Sequence, residues 1–498
     1  MRFNILCGGP AGQGPNFVAN ILSQGLVEKG FYVFSSREYE SRIRGGHNYN
    51  LVTFSDSLIY SNSLQIDLLI TLDEVSETIH KSILKSSTQV IKGEKNNVFA
   101  LGSAFKFLGI ELSILDSLLK AQNRYAENII EAKKGYSAEN RSINFPSVKK
   151  IKSLYLWTGN DGISFGASRS GLELYYAYPM TPATGVLTKL AKEEPSSKYV
   201  TVQLESEIAV VNAAIGSAIA GKKAMVGTSG GGFDLMTEAL SLAGGAEIPL
   251  VMYLAQRPGP ATGAPTYTSQ GDLNMARHAG HGEFVRVVSA PGDPEECASL
   301  VSQSFYLSQK FQIPVIVLGD KHLADSTYSL TEKSVIIKSP ITIKWPARFT
   351  SYESNDKKIA DDSPQTLILS VENRKDKHQK LEKEIDSLSP LKIYGKKDSK
   401  NIIIGWGSTK GTILDSIKDL DCKFIQILYL EPFSKKIRLE LEKANNLIIV
   451  ENNATSLLSS LITEKTGIFI KDENKVLKYD GRPFLYEELL PEIKRRLR

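Results

Sequence analysis

The sequence predicts an α/β protein of three domains, and three observations carry that expectation. Its 498 residues exceed what one hydrophobic core accommodates. Short apolar runs alternate with segments of helical period along most of the chain. Polar stretches interrupt the alternation at 131–153 and 331–398. The expected organisation is an open α/β domain at 1–150, a doubly wound domain at 155–325, an irregular linker at 326–398, and a third α/β domain at 399–498.

Each element has its own reason. FNILCG (3–8) is a short apolar strand that feeds the glycine-rich turn GGPAGQG, and Phe17, Val18, Ile21, Leu22 and Leu26 then recur at helical spacing before Gly30 stops the helix. YVFSS (32–36), NLVTFS (50–55) and DLLITL (67–72) read as further strands. In the second domain AMVGTS (224–229), PLVMYLAQ (249–256) and PVIVLGD (314–320) are nearly continuous apolar runs, as in a parallel sheet covered on both faces. RKDKHQKLEKEIDSL in the linker reads as a solvated helix. NIIIGWG (401–407), FIQILYL (424–430) and LIIVENN (447–453) supply the last sheet.

Composition narrows the function. Sixty Lys and Arg against 55 Asp and Glu leave a formal charge of only +5 with no arginine tract, so nucleic acid is not an expected partner. No apolar run reaches bilayer length, and the N-terminal residues lack a signal-peptide pattern, so a cytoplasmic protein off the membrane is expected. Cys7, Cys297 and Cys422 are too far apart for a sequence-local iron–sulfur or zinc set, and His278 and His281 have no evident third ligand; no metal site is expected in this chain. GxxxxGK[ST] does not occur, which speaks against a phosphate-loop NTPase.

Chemistry points instead to strand ends. YPMTPATG, TSGGGFD and QRPGPATG each follow a strand of the second domain, where ligands of open α/β sheets bind. A helix starting at Pro182 would aim its N–H groups and the Thr181 hydroxyl at an anion such as a carboxylate; a plain Thr cap is the alternative. Arg257, among Pro258, Gly259 and Pro260, suits bidentate carboxylate binding or a surface ion pair. Thr228 and Ser229 precede three glycines that permit close approach of a ligand or simply a tight turn. Glu205 and Glu207 open the helix ESEIAVVNAAIGSAIAG; Glu205 fits the first turn, and Glu207, beside apolar neighbours, suits a hydrogen bond to a ring nitrogen or a capping role. In the first domain Gly12 and Gly14 form a weak phosphate-cradle signal, and Arg42, Arg44, Gly45, Gly46 and His47 an anion-binding rim or an interface.

On YPMTPATG, QLESEIAVVNAAIGSAIAG, TSGGGFDLMTEALSLA, QRPGPATGAPTYTSQGDL, GHGEF, GWGSTKG, VENN and KYDGRPF, the sequence resembles the α subunit of the 2-oxoacid:ferredoxin oxidoreductases. GGPAGQG and SREYESRIRGGHN resemble the γ domain of that family, here fused at the N-terminus. The resemblance implies a γ-like first domain, a pyrimidine-binding second domain and a third domain like the C-terminal part of transketolase. It implies oxidative decarboxylation of a 2-oxoacid with coenzyme A to an acyl-CoA and CO2, electrons passing to ferredoxin or flavodoxin. Thiamine diphosphate with Mg2+ and a [4Fe-4S] cluster would lie mainly in a separate β subunit, in an αβ heterodimer or an (αβ)2 heterotetramer. Glu207 would contact the aminopyrimidine, and Thr181 and Arg257 the substrate carboxylate. Tyr178, Pro179, Thr228 and Ser229 would line the cofactor, while Gly12, Gly14, Arg44, Gly45 and Gly46 would serve coenzyme A or brace the assembly. Ala183 stands where many relatives have Ser, and Pro10–Ala11 depart from the γ pattern GxGGQG. Those departures keep a second expectation open, a non-catalytic scaffold or acyl-CoA-binding paralogue of that subunit.

Overall fold

The computed structural model describes residues 1–40, 46–93, 96–146, 148, 154–331, 336, 352–355, 357 and 359–497. Its chain divides into two compact units, Met1–Trp157 with Asp325–Glu332 and Leu485–Leu489, and Thr158–Ala324 with Lys333–Phe484 and Leu490–Arg498.

The first unit is built on a seven-stranded mixed sheet ordered Leu84–Lys92, Ile66–Thr71, Arg2–Pro10, His47–Ser55, Tyr32–Glu38, Thr327–Leu330 and Tyr155–Thr158. Arg2–Pro10 runs parallel to Ile66–Thr71 and antiparallel to His47–Ser55. The turn after the first strand ends on Gly14 at φ 82°, a left-handed conformation that a side chain resists, and Pro15 then starts the helix Pro15–Glu28. That helix buries Val18, Ile21, Leu22 and Leu26 against the sheet, as their spacing requires. The strand Thr327–Leu330, inside the stretch expected as linker, pairs antiparallel with Tyr32–Glu38.

The second unit contains two sheets. One is ordered Tyr429–Glu431, Val287–Ser289, Pro314–Asp320, Leu250–Gln256, Ala224–Thr228, Leu174–Ala177 and Val200–Gln203, parallel throughout except for Tyr429–Glu431. From Leu174–Ala177 the chain passes outward to the edge strand Val200–Gln203, then returns to Ala224–Thr228 and proceeds the other way to Leu250–Gln256. The order therefore reverses between Leu174–Ala177 and Ala224–Thr228, and ligands of open α/β sheets bind beyond the carboxyl ends at such a reversal. The other sheet is ordered Leu391–Gly395, Lys423–Ile427, Asn401–Gly405, Asn446–Glu451 and Lys475–Leu477, with only the first strand antiparallel. One apolar cluster, including Val226, Phe233, Leu254, Trp406, Ile425 and Leu461, spans both sheets.

Buried charges also tie these sheets together. Lys410 donates to Asp293 and, at 2.6 Å, to Glu296 Oε1, while Gln426 donates to Glu296 Oε2 at 2.6 Å and Lys392 to Oε1 at 2.8 Å. Burial alone would raise the Glu296 pKa, but Lys410 and Lys392 overcome it and hold the group down to about 2. A depressed carboxylate contributes in full above its unfolded value and loses that contribution as pH falls through its folded one. Lys410→Met, which leaves Asp293 without its lysine and Glu296 with Lys392 as its one remaining cation, is expected to cost about 3–5 kcal/mol at pH 7. Urea unfolding of both proteins should show this difference shrinking as pH falls toward 2.

Candidate active site

Four loops meet at the carboxyl edge of the parallel sheet. The helix Glu207–Ile219 starts at Glu207, because Ser206 is its cap and accepts from Ala209 N at 3.2 Å. Glu205 therefore lies before the helix, which corrects the first-turn position expected from the sequence. Glu207 is only 4% exposed, and its Oε1 has no hydrogen-bond partner. Beside it begins the helix Gly230–Gly245, capped by Ser229, which is fully buried with an unpartnered Oγ. A Cβ placed on Gly232 would lie 2.2 Å from Thr228 Oγ1 and 2.6 Å from Glu207 Oε1. Glycine at 232 is thus what lets the Glu207 carboxylate and the Thr228 hydroxyl close on the start of this helix.

The loop after Tyr178 differs from expectation in one respect. Its helix, Thr184–Glu193, begins two residues past Pro182, with Ala183 at the cap position and no side-chain cap. The Thr181–Pro182 peptide is cis, and residues 181–183 form a turn before the helix. Arg257 Nη1 donates to the Thr181 carbonyl at 2.8 Å, and Asn160 Nδ2 to the Pro182 carbonyl at 3.2 Å. Arg257 is 8% exposed. The structure thus brings Thr181 and Arg257 together through the Thr181 main chain, and Glu207 and Thr228 together at Gly232. Tyr178 and Pro179 lie exposed at the rim of the same turn.

Sequence reasoning left Asp272 without a role. It closes the loop that Arg257 opens, its amide held by Gln256 Oε1 at 2.9 Å. A Cβ on Gly230 would sit 2.8 Å from Asp272 Oδ2, and that oxygen is buried without a hydrogen-bond partner. Burial first, then the Asp234 charge, raises the Asp272 pKa to about 6, against the opposing pull of Arg257. The only local signal was an acidic residue closing a Gly/Pro-rich loop, which is too common to select it.

In the first unit Gly12 and Gly14 occupy the turn after Arg2–Pro10, and Ala11 N donates to the Gly46 carbonyl at 3.0 Å. Arg42, Arg44 and Gly45 lie outside the described residues. His47 Nε2 lies 2.9 Å from His80 Nε2, and His47 Nδ1 3.3 Å from Asp73. Among the described residues no group of three or more His, Cys, Asp or Glu side chains is arranged to hold a metal, and no helix is long and apolar enough to cross a membrane. Cys7, Cys297 and Cys422 are free and buried.

A buried carboxylate, a guanidinium and a triglycine helix start at the point where the strand order reverses make this edge of the α/β sheet the candidate ligand site. Residues 166–386 match the family "pyruvate flavodoxin/ferredoxin oxidoreductase, thiamine diP-bdg", and residues 4–95 match "pyruvate ferredoxin/flavodoxin oxidoreductase". The 2-oxoacid:ferredoxin oxidoreductase subunit alpha of Saccharolobus solfataricus is 30% identical over 99% of this chain and 98% of its own length. The corresponding subunit of Sulfolobus sp is 29% identical over 98% and 96%. The fold resembles that of the 2-oxoglutarate:ferredoxin oxidoreductase from Magnetococcus marinus, solved with 2-oxoglutarate, coenzyme A and succinyl-CoA, with TM-score 0.88, 24% identity and complete coverage of both chains. The chain belongs to the α subunits of the 2-oxoacid:ferredoxin oxidoreductase family.

Two glycines of this site test its packing. Gly232→Ala must displace Thr228 or Glu207 and is expected to lower stability by about 1–3 kcal/mol. Gly216→Ala, whose added Cβ meets nothing within 4 Å on the exposed face of Glu207–Ile219, should instead stabilise by up to about 1 kcal/mol. Urea unfolding of the two single variants distinguishes these opposite signs.

Proposed function

We propose that the chain works with a β subunit in the oxidative decarboxylation of a 2-oxoacid, yielding an acyl-CoA and CO2 and passing electrons to ferredoxin or flavodoxin. The observation that carries this reading is the unpartnered Oε1 of buried Glu207, set at a helix start beside Thr228. A carboxylate in that setting suits the ring nitrogen of an aminopyrimidine, so the residues fit thiamine diphosphate held chiefly by the β subunit with Mg2+ and a [4Fe-4S] cluster. When bound, that cofactor supplies the carbon nucleophile that the 2-oxo group requires.

The remaining roles belong to this chain's own side chains. Glu207 holds a proton at the aminopyrimidine ring and fixes its tautomer. Arg257 and Thr181 orient the substrate carboxylate, Arg257 already being braced on the Thr181 carbonyl. Thr228 and Ser229, with Tyr178 and Pro179 at the rim, line the cofactor wall. Ile208 and Leu235 are about half exposed next to this crevice, and apolar side chains in such a place favour a covering partner. That partner is the β subunit, in an αβ or (αβ)2 assembly. The first unit, through the Gly12–Gly14 turn and the Gly46 rim, serves the coenzyme A step.

The test is a panel of 2-oxoacids with coenzyme A and an electron-accepting dye, run on the chain copurified with its β subunit. Glu207→Gln is expected to lower kcat by roughly 10²–10⁴-fold. Arg257→Met should raise KM for the 2-oxoacid by roughly 10–100-fold. Full turnover by Glu207→Gln in an intact complex would overturn the reading.

A further inference from the structure

The turn that carries Thr181 is held at two successive carbonyls. Arg257 Nη1 donates to that of Thr181 at 2.8 Å, and Asn160 Nδ2 to that of Pro182 at 3.2 Å. Proline has no N–H, so Pro182 offers Asn160 only an acceptor, and the amide must turn its nitrogen toward it. That bond is kept at a cost, because Asn160 is 6% exposed and its Oδ1 is left buried without a hydrogen-bond partner. The approach is also close. A Cβ on Gly185, in the first turn of Thr184–Glu193, would lie 2.3 Å from Asn160 Nδ2.

Asn160 is itself rigidly placed. It lies in the first turn of the helix Gly159–Arg169, where Thr158 N donates to Asp161 Oδ2 at 2.9 Å and Asp161 N to Thr158 Oγ1 at 3.1 Å. A Cβ on Gly159 would sit 2.4 Å from the Leu323 carbonyl, which fixes this helix start from a second direction. Lys189, from Thr184–Glu193, pairs with Asp161 at 3.2 Å and gives the two helices another tie beside the turn.

We propose that Asn160 is a positioning residue of the substrate site: by holding the Pro182 carbonyl it fixes the direction in which Thr181 meets the carboxylate of the 2-oxoacid. The inference rests on the substrate reading above and deepens it. With the Arg257 bond alone, the turn pivots about the Thr181 carbonyl. A second bond, one peptide further on and from a different element, removes that freedom, so Asn160 acts on the substrate through Thr181.

The test uses the chain copurified with its β subunit, with pyruvate and 2-oxoglutarate as substrates. Asn160→Leu keeps the side-chain size and deletes the donor. It is expected to raise KM for the 2-oxoacid roughly 5–10-fold and to leave KM for coenzyme A unchanged. Asn160→Ala serves the same comparison if leucine disturbs the packing against Gly185. In the Thr181→Val background, which lacks the hydroxyl, Asn160→Leu is expected to add nothing further, because the two residues act through one contact. The same rise in KM in that background, or a fall in kcat with KM unchanged, overturns the proposal. The second measurement needs no ligand. Asn160→Leu in the full chain should speed amide exchange about tenfold across 180–186, where Thr184 N is bonded to Met180 O and Val186 N to Ala183 O, and leave Gly230–Gly245 unchanged. Unaltered exchange at 180–186 also overturns it. If exchange rises there while wild type turns over neither 2-oxoacid, the clamp on the turn stands and the substrate reading falls.

Discussion

The fixed course of residues 257–272 is the constraint on which the site depends. This segment leaves the carboxyl edge of the parallel sheet at Arg257 and must return at Asp272, with almost no regular structure of its own. Ordering such a loop costs roughly 1–2 kcal/mol per residue in backbone entropy, so it needs anchors. They come from the neighbouring sheet: Thr268 N donates to the Gly481 carbonyl, Arg482 stacks 4.1 Å over the Tyr267 ring, and Gln270 is bonded to Trp406, Asn452 and Asn453. The last sheet therefore acts on the crevice without reaching it. Its loops hold the middle of a segment whose two ends carry the charges.

That arrangement works only if the last sheet docks in one register, and its contacts make other registers expensive. Besides the bonds of Lys410, Lys392 and Gln426 to Asp293 and Glu296, Arg277 pairs with Glu464 at 2.9 Å. A shifted register would strand several buried charges at a cost of several kcal/mol each. An apolar interface of the same area would tolerate sliding far better. The network thus penalises misdocking more than it adds to stability, and precision of docking is passed on to Arg257 and Asp272 through Gln270.

Much of the fold was legible because it is written in local periodicity. Apolar runs such as 224–229, 249–256 and 314–320 coincide with buried parallel strands, and the loops expected to carry chemistry follow the strands at or next to the reversal. What escaped was non-local or conformational. Pro182 reads as a first helical residue, but residues 181–183 form a turn and the helix starts at Thr184. Glu205 and Glu207 are equivalent candidates until Ser206 is seen to cap, which admits only Glu207 to the helix. Asp272 acquires meaning from Gly230, Arg257 and Asp234, and Gln270 from residues more than 130 positions away, contacts that no periodicity encodes.

The location of unsatisfied polar atoms gives the last step. Buried polar groups in folded chains are nearly always bonded, and each exception costs about 1–3 kcal/mol, more when charged. Here Glu207 Oε1, Ser229 Oγ and Asp272 Oδ2 are all such exceptions, and all three border Gly230–Gly232. Two are carboxylate oxygens, the most expensive kind, at the place where the strand order reverses. Other unpartnered buried atoms, such as those of Asn62, Ser308 and Ser416, lie elsewhere in the fold, so the weight falls on the two carboxylate oxygens rather than on the number of exceptions. On the proposed reading, a protonated ring nitrogen offered to Glu207 would recover part of that cost, which an apolar ligand of the same shape would not.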